Sequence, residues 1–153
     1  MSEPGLRREG NLRLASIACD GLPADAWAVY ARCMSLVETR SDLTPNGPLV
    51  ILFDLAPLDD EPASWRCQVG TAVTGFAAAE PPLLIEDYHN LQALSLPHTT
   101  PLKQLRATWQ NLRDHAGTMS WRLRPYWRLT LERTQTPDGN LLPRCELSVF
   151  LDR

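Results

Sequence analysis

Few residues of this 153-residue chain could do chemistry, and the most informative of them is a glutamate near its end. In Pro143-Arg144-Cys145-Glu146-Leu147-Ser148-Val149-Phe150-Leu151, a period of two puts Cys145, Leu147, Val149 and Leu151 on one apolar face. Arg144, Glu146, Ser148 and Phe150 share the other. A carboxylate thus falls mid-strand, where Glu has poor β-propensity and needs a reason to sit. One reason is a solvated edge strand, whose charges discourage edge pairing. Another is a ligand groove with one acid in it, where a desolvated carboxylate gains most from a cationic or hydrogen-bond-donating ligand. A third is an internal ion pair with Arg128, which shares that face on the preceding strand.

No Ser/His/Asp arrangement, phosphate loop or metal motif accompanies this acid. His89, His98 and His115 are scattered without metal-ligand spacing, which points to satisfied surface or capping roles. Cys19, Cys33, Cys67 and Cys145 include no Cys-x-x-Cys, so free buried thiols are expected rather than disulfides or a metal cluster. No cofactor and no metal are expected. Five tryptophans stand out. Trp27 and Trp109 lie on apolar helix stripes, and Trp127 faces the core with Tyr126 turned to its other side. Trp65 precedes a strand and is placed at the rim of a cleft.

A net charge of −3 without a Lys/Arg cluster offers no electrostatic footprint for nucleic acid. No apolar run approaches a membrane span, and nothing resembles a signal peptide, so the expected location is cytoplasmic. Residues 1–10 are polar and are expected to form a flexible tail.

The positioning elements follow from periodicity. Residues 12–19 read as a strand, and Pro23 to about Glu38 as a helix with Ala26, Trp27, Tyr30, Cys33, Met34 and Val37 on one stripe. Residues 41–48 read as a loop, Leu49–Phe53 as a buried strand and Trp65–Thr74 as another. After a linker over 75–82 come short strands over 83–88 and 91–96. A helix then starts at Thr99-Thr100-Pro101 and stops at Gly117. A strand over 126–132, a turn at Pro137-Asp138-Gly139-Asn140 and the closing strand complete the chain.

Both halves therefore read strand, helix, strand, strand. Arg66-Cys67-Gln68-Val69 resembles Arg144-Cys145-Glu146-Leu147, and at the same offset Pro23 meets Pro101 and Asp54 meets Glu132. An internal duplication is expected, with Gln68 standing where the second half has Glu146.

Four places in this order resemble the GyrI-like effector-binding domain, the ligand-sensing module of multidrug-responsive transcription regulators. Asn46-Gly47-Pro48 before an apolar strand and Asp54 is similar to that family's Gly-Pro opening. Cys67-Gln68-Val69-Gly70 resembles its V-x-V-G strand, and His98-Thr99-Thr100-Pro101-Leu102-Lys103-Gln104-Leu105 its H-x-G-P-Y-x-x-L. Glu146 lies where its last strand reads E-I-Y-x-P. Thr100 and Leu102 depart from the motif, as do Arg128 and Thr130, where the family often has Glu and Tyr.

The resemblance implies an α+β fold: two tandem modules (about 11–75 and 83–153) in one domain over 11–153, related by a pseudo-twofold, with antiparallel sheets, helices on one side and a ligand groove on the other. It implies a stand-alone protein that binds amphipathic, aromatic or cationic compounds, with Glu146, Arg128, Tyr126, Gln68, Trp65 and Phe150 at the site. Two alternatives accompany it. One is a hydrolase of electrophilic, cyclopropane-bearing compounds with Glu146 as general base, although an enzyme is the lesser expectation. The other is a protein-interaction or gyrase-inhibitor-like module, with a protein partner or a homodimer. No direct nucleic-acid binding and no membrane partner are expected, since ten residues before the first strand cannot supply a helix-turn-helix.

Overall fold

The computed structural model describes residues 3–40, 42–54, 56–57, 64–98, 104–135 and 141–152. Among these, the elements run β1 (Gly5–Cys19), α1 (Ala26–Glu38), β2 (Leu43–Pro45), β3 (Leu49–Phe53), β4 (Cys67–Gly75), β5 (Leu83–Pro97), α2 (Leu105–Thr118), β6 (Leu123–Gln135) and β7 (Leu141–Leu151). The class is α+β. Each half has a long strand, a helix and two strands, with the three-residue β2 added in the first.

All strand pairs are antiparallel, in the order β1-β5-β7-β6-β3-β4-β2, and β1 also pairs with β4. The ladder therefore returns on itself as a ring of six strands, with β2 hanging on β4. Alternation then assigns two faces. One carries Leu49, Ile51, Phe53, Cys67, Val69, Leu94, Leu96, Trp127, Leu129, Leu147, Val149 and Leu151, packed with Leu105, Leu112 and Ala116 of α2. Ala15, Ile17, Val73 and Leu83 pack with Cys33 and Val37 of α1. Since helices cover this face, the opposite face is the inside of the ring. Its apolar part is Leu14, Val50, Leu52, Leu91, Ala93 and Phe150, with Leu12, Tyr88 and Tyr126 against them.

The first helix is capped as its sequence dictates: the Asp25 carboxylate accepts the backbone N–H groups of Trp27 and Ala28 at 3.1 and 3.2 Å. It starts at Ala26, three residues after Pro23, because the cap and not the proline sets the boundary. The second helix runs through Gly117 to Thr118, and the left-handed reversal is made by Ser120 (φ 61°). Its expected start at Thr99-Thr100-Pro101, and the turn at 137–140, lie outside the described residues.

Three other expectations are corrected. Residues 5–10, read as tail, are strand: Gly5 to Arg8 pair in register with Ser95 to Gln92. The loop over 41–48 holds β2. The two short strands over 83–96 are one, bent at Asn90 (φ 54°), whose N–H donates to Asn11 Oδ1 at 3.1 Å. No helix among the described residues is long and apolar enough to cross a membrane.

Closure of the ring depends on a close approach. Gly70 of β4 lies opposite Ser16 of β1, and a Cβ there would collide with the Ala15 carbonyl and the Ser16 Cα. Backbone cannot yield as a side-chain tip can. Gly70→Ala is expected to destabilise the protein by at least the upper part of the about 1–3 kcal/mol range for overpacking. A denaturant midpoint equal to wild type would show that β1 does not need this contact.

Candidate functional site

The polar side chains of the ring interior form a row set by strand register. Gln68 on β4 lies opposite Leu52 on β3, then Arg128 on β6, Ser148 on β7 and Ser95 on β5. Thr130 and Glu146 face each other in the adjacent row. Ser95, Arg128 and Ser148 are buried, so each needs a partner.

Arg128 finds its partner on the strand read as tail. Its Nη1 and Nη2 donate to the two carboxylate oxygens of Glu9, both at 2.7 Å, in a bidentate pair. Nη2 also donates to Ser148 Oγ at 3.2 Å, and the Ser148 and Ser95 hydroxyls are 2.7 Å apart. The Arg128 side chain is 8% exposed and that of Glu9 25%. The guanidinium also lies over the Phe150 ring, 5.0 Å from its centroid. Among the described residues, two buried side-chain polar atoms have no hydrogen-bond partner, Arg128 Nε and Gln92 Oε1.

Glu146 is paired with Arg7, not with Arg128. Arg7 Nη2 lies 2.5 Å from Glu146 Oε1 and 3.9 Å from Glu9 Oε2. The side chains of Arg7 and Glu146 are 54% and 37% exposed. Two arginines and two glutamates thus form a chain of alternating charge, Arg128–Glu9–Arg7–Glu146, open to water at the Glu146 end. The pairing misses the sequence reading because Arg7 and Glu9 are remote in sequence and sit among exposed polar residues.

An aromatic wall adjoins this chain. Tyr126 is 5.1 Å from Tyr88 and 5.4 Å from Phe150 between ring centroids. Arg124 fixes it by donating to the Tyr126 hydroxyl at 2.9 Å and to the carbonyls of His89 and Asn90 at 3.0 and 3.2 Å. Of the expected site residues, Glu146, Arg128, Tyr126, Gln68 and Phe150 therefore share the inner face. Gln68 Oε1 accepts the Ser16 hydroxyl at 3.0 Å, so β1 supplies the side-chain partners of both Gln68 and Glu146. Trp65 does not belong. It is buried on the helix-covered face, edge-on to Phe53 and Trp127, which stack at 4.0 Å. A large apolar ring beside two others gains more from the core than from a rim. Arg7, Glu9, Ser95, Tyr88 and Arg124 were missed. The one signal for the first two was their i, i+2 spacing, which puts both on one face of a strand.

The four cysteines are free. Burial pushes the thiols of Cys33 up to about 11, and of Cys67 and Cys145 up to about 12, so they stay protonated and weakly nucleophilic at neutral pH. Buried His98 is hydrogen-bonded through Nδ1 to Thr108 Oγ1 at 2.9 Å. Among the described residues no group of three His, Cys, Asp or Glu could hold a metal ion.

Burial pushes the Glu9 carboxyl up, but the hydrogen bonds and charge of Arg128 and the charge of Arg7 outweigh it, and hold the group below its ordinary value. A lowered folded value means stability that is present above the unfolded value of about 4.3 and lost as pH falls through the folded one. Glu9→Gln is expected to cost about 2 kcal/mol at pH 7, because Arg128 stays buried without its carboxylate. The difference from wild type should shrink on acidification towards pH 3, read from urea midpoints. A gap independent of pH would show that the pair contributes no ionic stability.

No family model matches the chain, and no curated protein matches it in sequence. Solved structures do. The C-terminal domain of EcmrR superimposes with a TM-score of 0.76 at 11% identity, over 99% of this chain and 98% of that one. In the EcmrR–DNA complex the TM-score is 0.74 at 12% identity, and the chain spans 57% of the EcmrR chain. A hydrolase encoded by lin2189 from Listeria innocua matches with a TM-score of 0.66 at 10% identity, over 98% and 92% of the two chains. SAV2435 bound to tetraphenylphosphonium matches with 0.57 at 11% identity, over 99% and 94%. At such identities the likeness establishes a shared fold.

Proposed function

We propose that this chain is a small-molecule-binding protein of the GyrI-like type. It takes amphipathic, aromatic compounds carrying positive charge beside Glu146, on the inner face of the ring. The observation that carries this reading is the Glu146 carboxylate itself, a partly exposed acid on a mostly buried face that already holds a cation, the Arg7 guanidinium. Tyr88, Tyr126 and Phe150 supply aromatic surface on the same face, where each cation–π contact is worth about 0.5–2 kcal/mol. The fold shared with SAV2435, seen with a lipophilic cation, supports the same reading.

The Listeria neighbour called a hydrolase keeps a second reading in play, in which Glu146 is a general base. Against it, Glu146 is ion-paired with Arg7, and two of the hydroxyls on this face, those of Ser95 and Ser148, are bonded to each other. Among the described residues, the exposed large apolar side chains Leu6, Phe76 and Met119 sit on three separate segments, which gives little support to a protein-docking face.

Tetraphenylphosphonium is expected to raise the apparent melting temperature of the wild type, since binding to the native state alone must stabilise it. Glu146→Gln should weaken that binding by about tenfold, the loss of one charge-assisted contact. A neutral apolar compound of similar size should give a smaller shift. Equal shifts for wild type and Glu146→Gln would remove Glu146 from the site. Turnover of an electrophilic substrate, abolished by Glu146→Gln while binding survives, would favour the hydrolase.

A further inference from the structure

We infer that Arg7 is a built-in competitor for the Glu146 carboxylate: residues 5–8 of β1 act as a tethered cation that a ligand must displace, which makes the site selective for compounds bringing their own positive charge. This rests on ligand binding at Glu146.

The geometry supports displacement in four ways. First, the Arg7–Glu146 pair is short, at 2.5 Å, yet its side chains are 54% and 37% exposed. An exposed pair of this kind is held weakly, because water screens both charges. Second, Arg7 has somewhere to go. Glu9 Oε2 lies 3.9 Å from the same nitrogen, so the guanidinium can leave Glu146 and keep a carboxylate neighbour.

Third, residues 5–8 pair with β5 alone, whereas residues 14–17 pair with both β4 and β5. Leu6 in this segment is exposed and adds no core packing. Register shifts flank Gly10, which has φ +72°, and nothing lies within 4 Å of where its Cβ would be. The segment is thus set off from the tightly held part of its own strand by an unpacked, left-handed glycine. Fourth, the release is bounded. Glu9 is anchored to buried Arg128 by two 2.7 Å hydrogen bonds, so Arg7 can move while the ring behind it stays closed.

Charge selectivity follows from the exchange. A neutral compound that displaced Arg7 would leave Glu146 covered and without a counter-charge, at a desolvation cost. A cation replaces what it removes. The apparent dissociation constant of a cationic ligand equals the intrinsic one divided by the fraction of protein with Glu146 vacated.

The test is calorimetric titration of tetraphenylphosphonium into wild type, Arg7→Ala, Arg7→Lys, Arg8→Ala, Glu146→Gln and the Arg7→Ala/Glu146→Gln double variant. Arg7→Ala should bind about two- to fivefold more tightly, the range set by an exposed ion pair. Arg7→Lys should stay near wild type, and so should Arg8→Ala, whose side chain alternation places on the other face. In the double variant the gain should vanish, because the competitor has nothing left to compete for. Binding to Arg7→Ala that is no tighter than to wild type, with Glu146→Gln still impaired, would overturn the competitor role and leave the binding site standing. Failure of the probe to bind either wild type or Arg7→Ala would remove both.

Hydrogen exchange on the wild type gives a readout free of mutation. Ligand should speed exchange of the backbone amides that pair residues 5–8 with 92–95, and unchanged or slowed exchange would count against release.

Discussion

Everything on the inner face depends on β1 pairing along both edges. Between Leu14 and Ile17 it is hydrogen-bonded to β4 on one side and β5 on the other, which joins the two halves of the chain a second time, beyond the β3–β6 seam. That pairing requires Gly70, the position where the β4 backbone has no side chain to hold β1 away. Once the ring closes, one face of every strand must point inwards. Polar residues placed there lose water and have to satisfy one another.

The solution on this inner face is a chain of alternating charge instead of an isolated acid. Arg128 is the most buried member and Glu146 and Arg7 the most exposed, so the ionic character runs from the floor of the ring to solvent. The bidentate contact of Arg128 with Glu9 does the structural part, since it links β6 to β1 across the ring. Arg128 also reaches Ser148 and lies over Phe150, which leaves this guanidinium little freedom. The exposed end is under no comparable constraint. A stable anchor and a replaceable contact thus share one network, with Glu9 dividing them.

The division of labour between faces explains the aromatic residues. Phe53, Trp65 and Trp127 form one buried group against the helices, where large rings add most to stability. Tyr88, Tyr126 and Phe150 form another on the inner face, with Arg124 holding the Tyr126 hydroxyl. Tyr126 and Trp127 are neighbours in sequence and belong to different groups because a strand turns alternate side chains to opposite faces.

The sequence by itself determined the parts that rest on local periodicity. Leu49–Phe53 is strand because a short β-branched and aromatic run can bury both faces, and the period-two pattern at the end of the chain correctly put Glu146, Ser148 and Phe150 on one face and Leu147, Val149 and Leu151 on the other. The same alternation placed Tyr126 and Arg128 with Glu146, and it put Trp127 in the core. What the tertiary structure alone decided is who pairs with whom. Glu9 and Arg128 are separated by 119 positions, and Arg7 and Glu146 by 139. No local pattern encodes such contacts, because ring closure brings the strands together. The stretch Gly5-Leu6-Arg7-Arg8-Glu9-Gly10 has the composition of a frayed tail, and only its ladder with β5 makes it strand. Trp65 shows the converse: next to a strand end, its side chain could go to a rim or to the core, and the space beside Phe53 and Trp127 settled it.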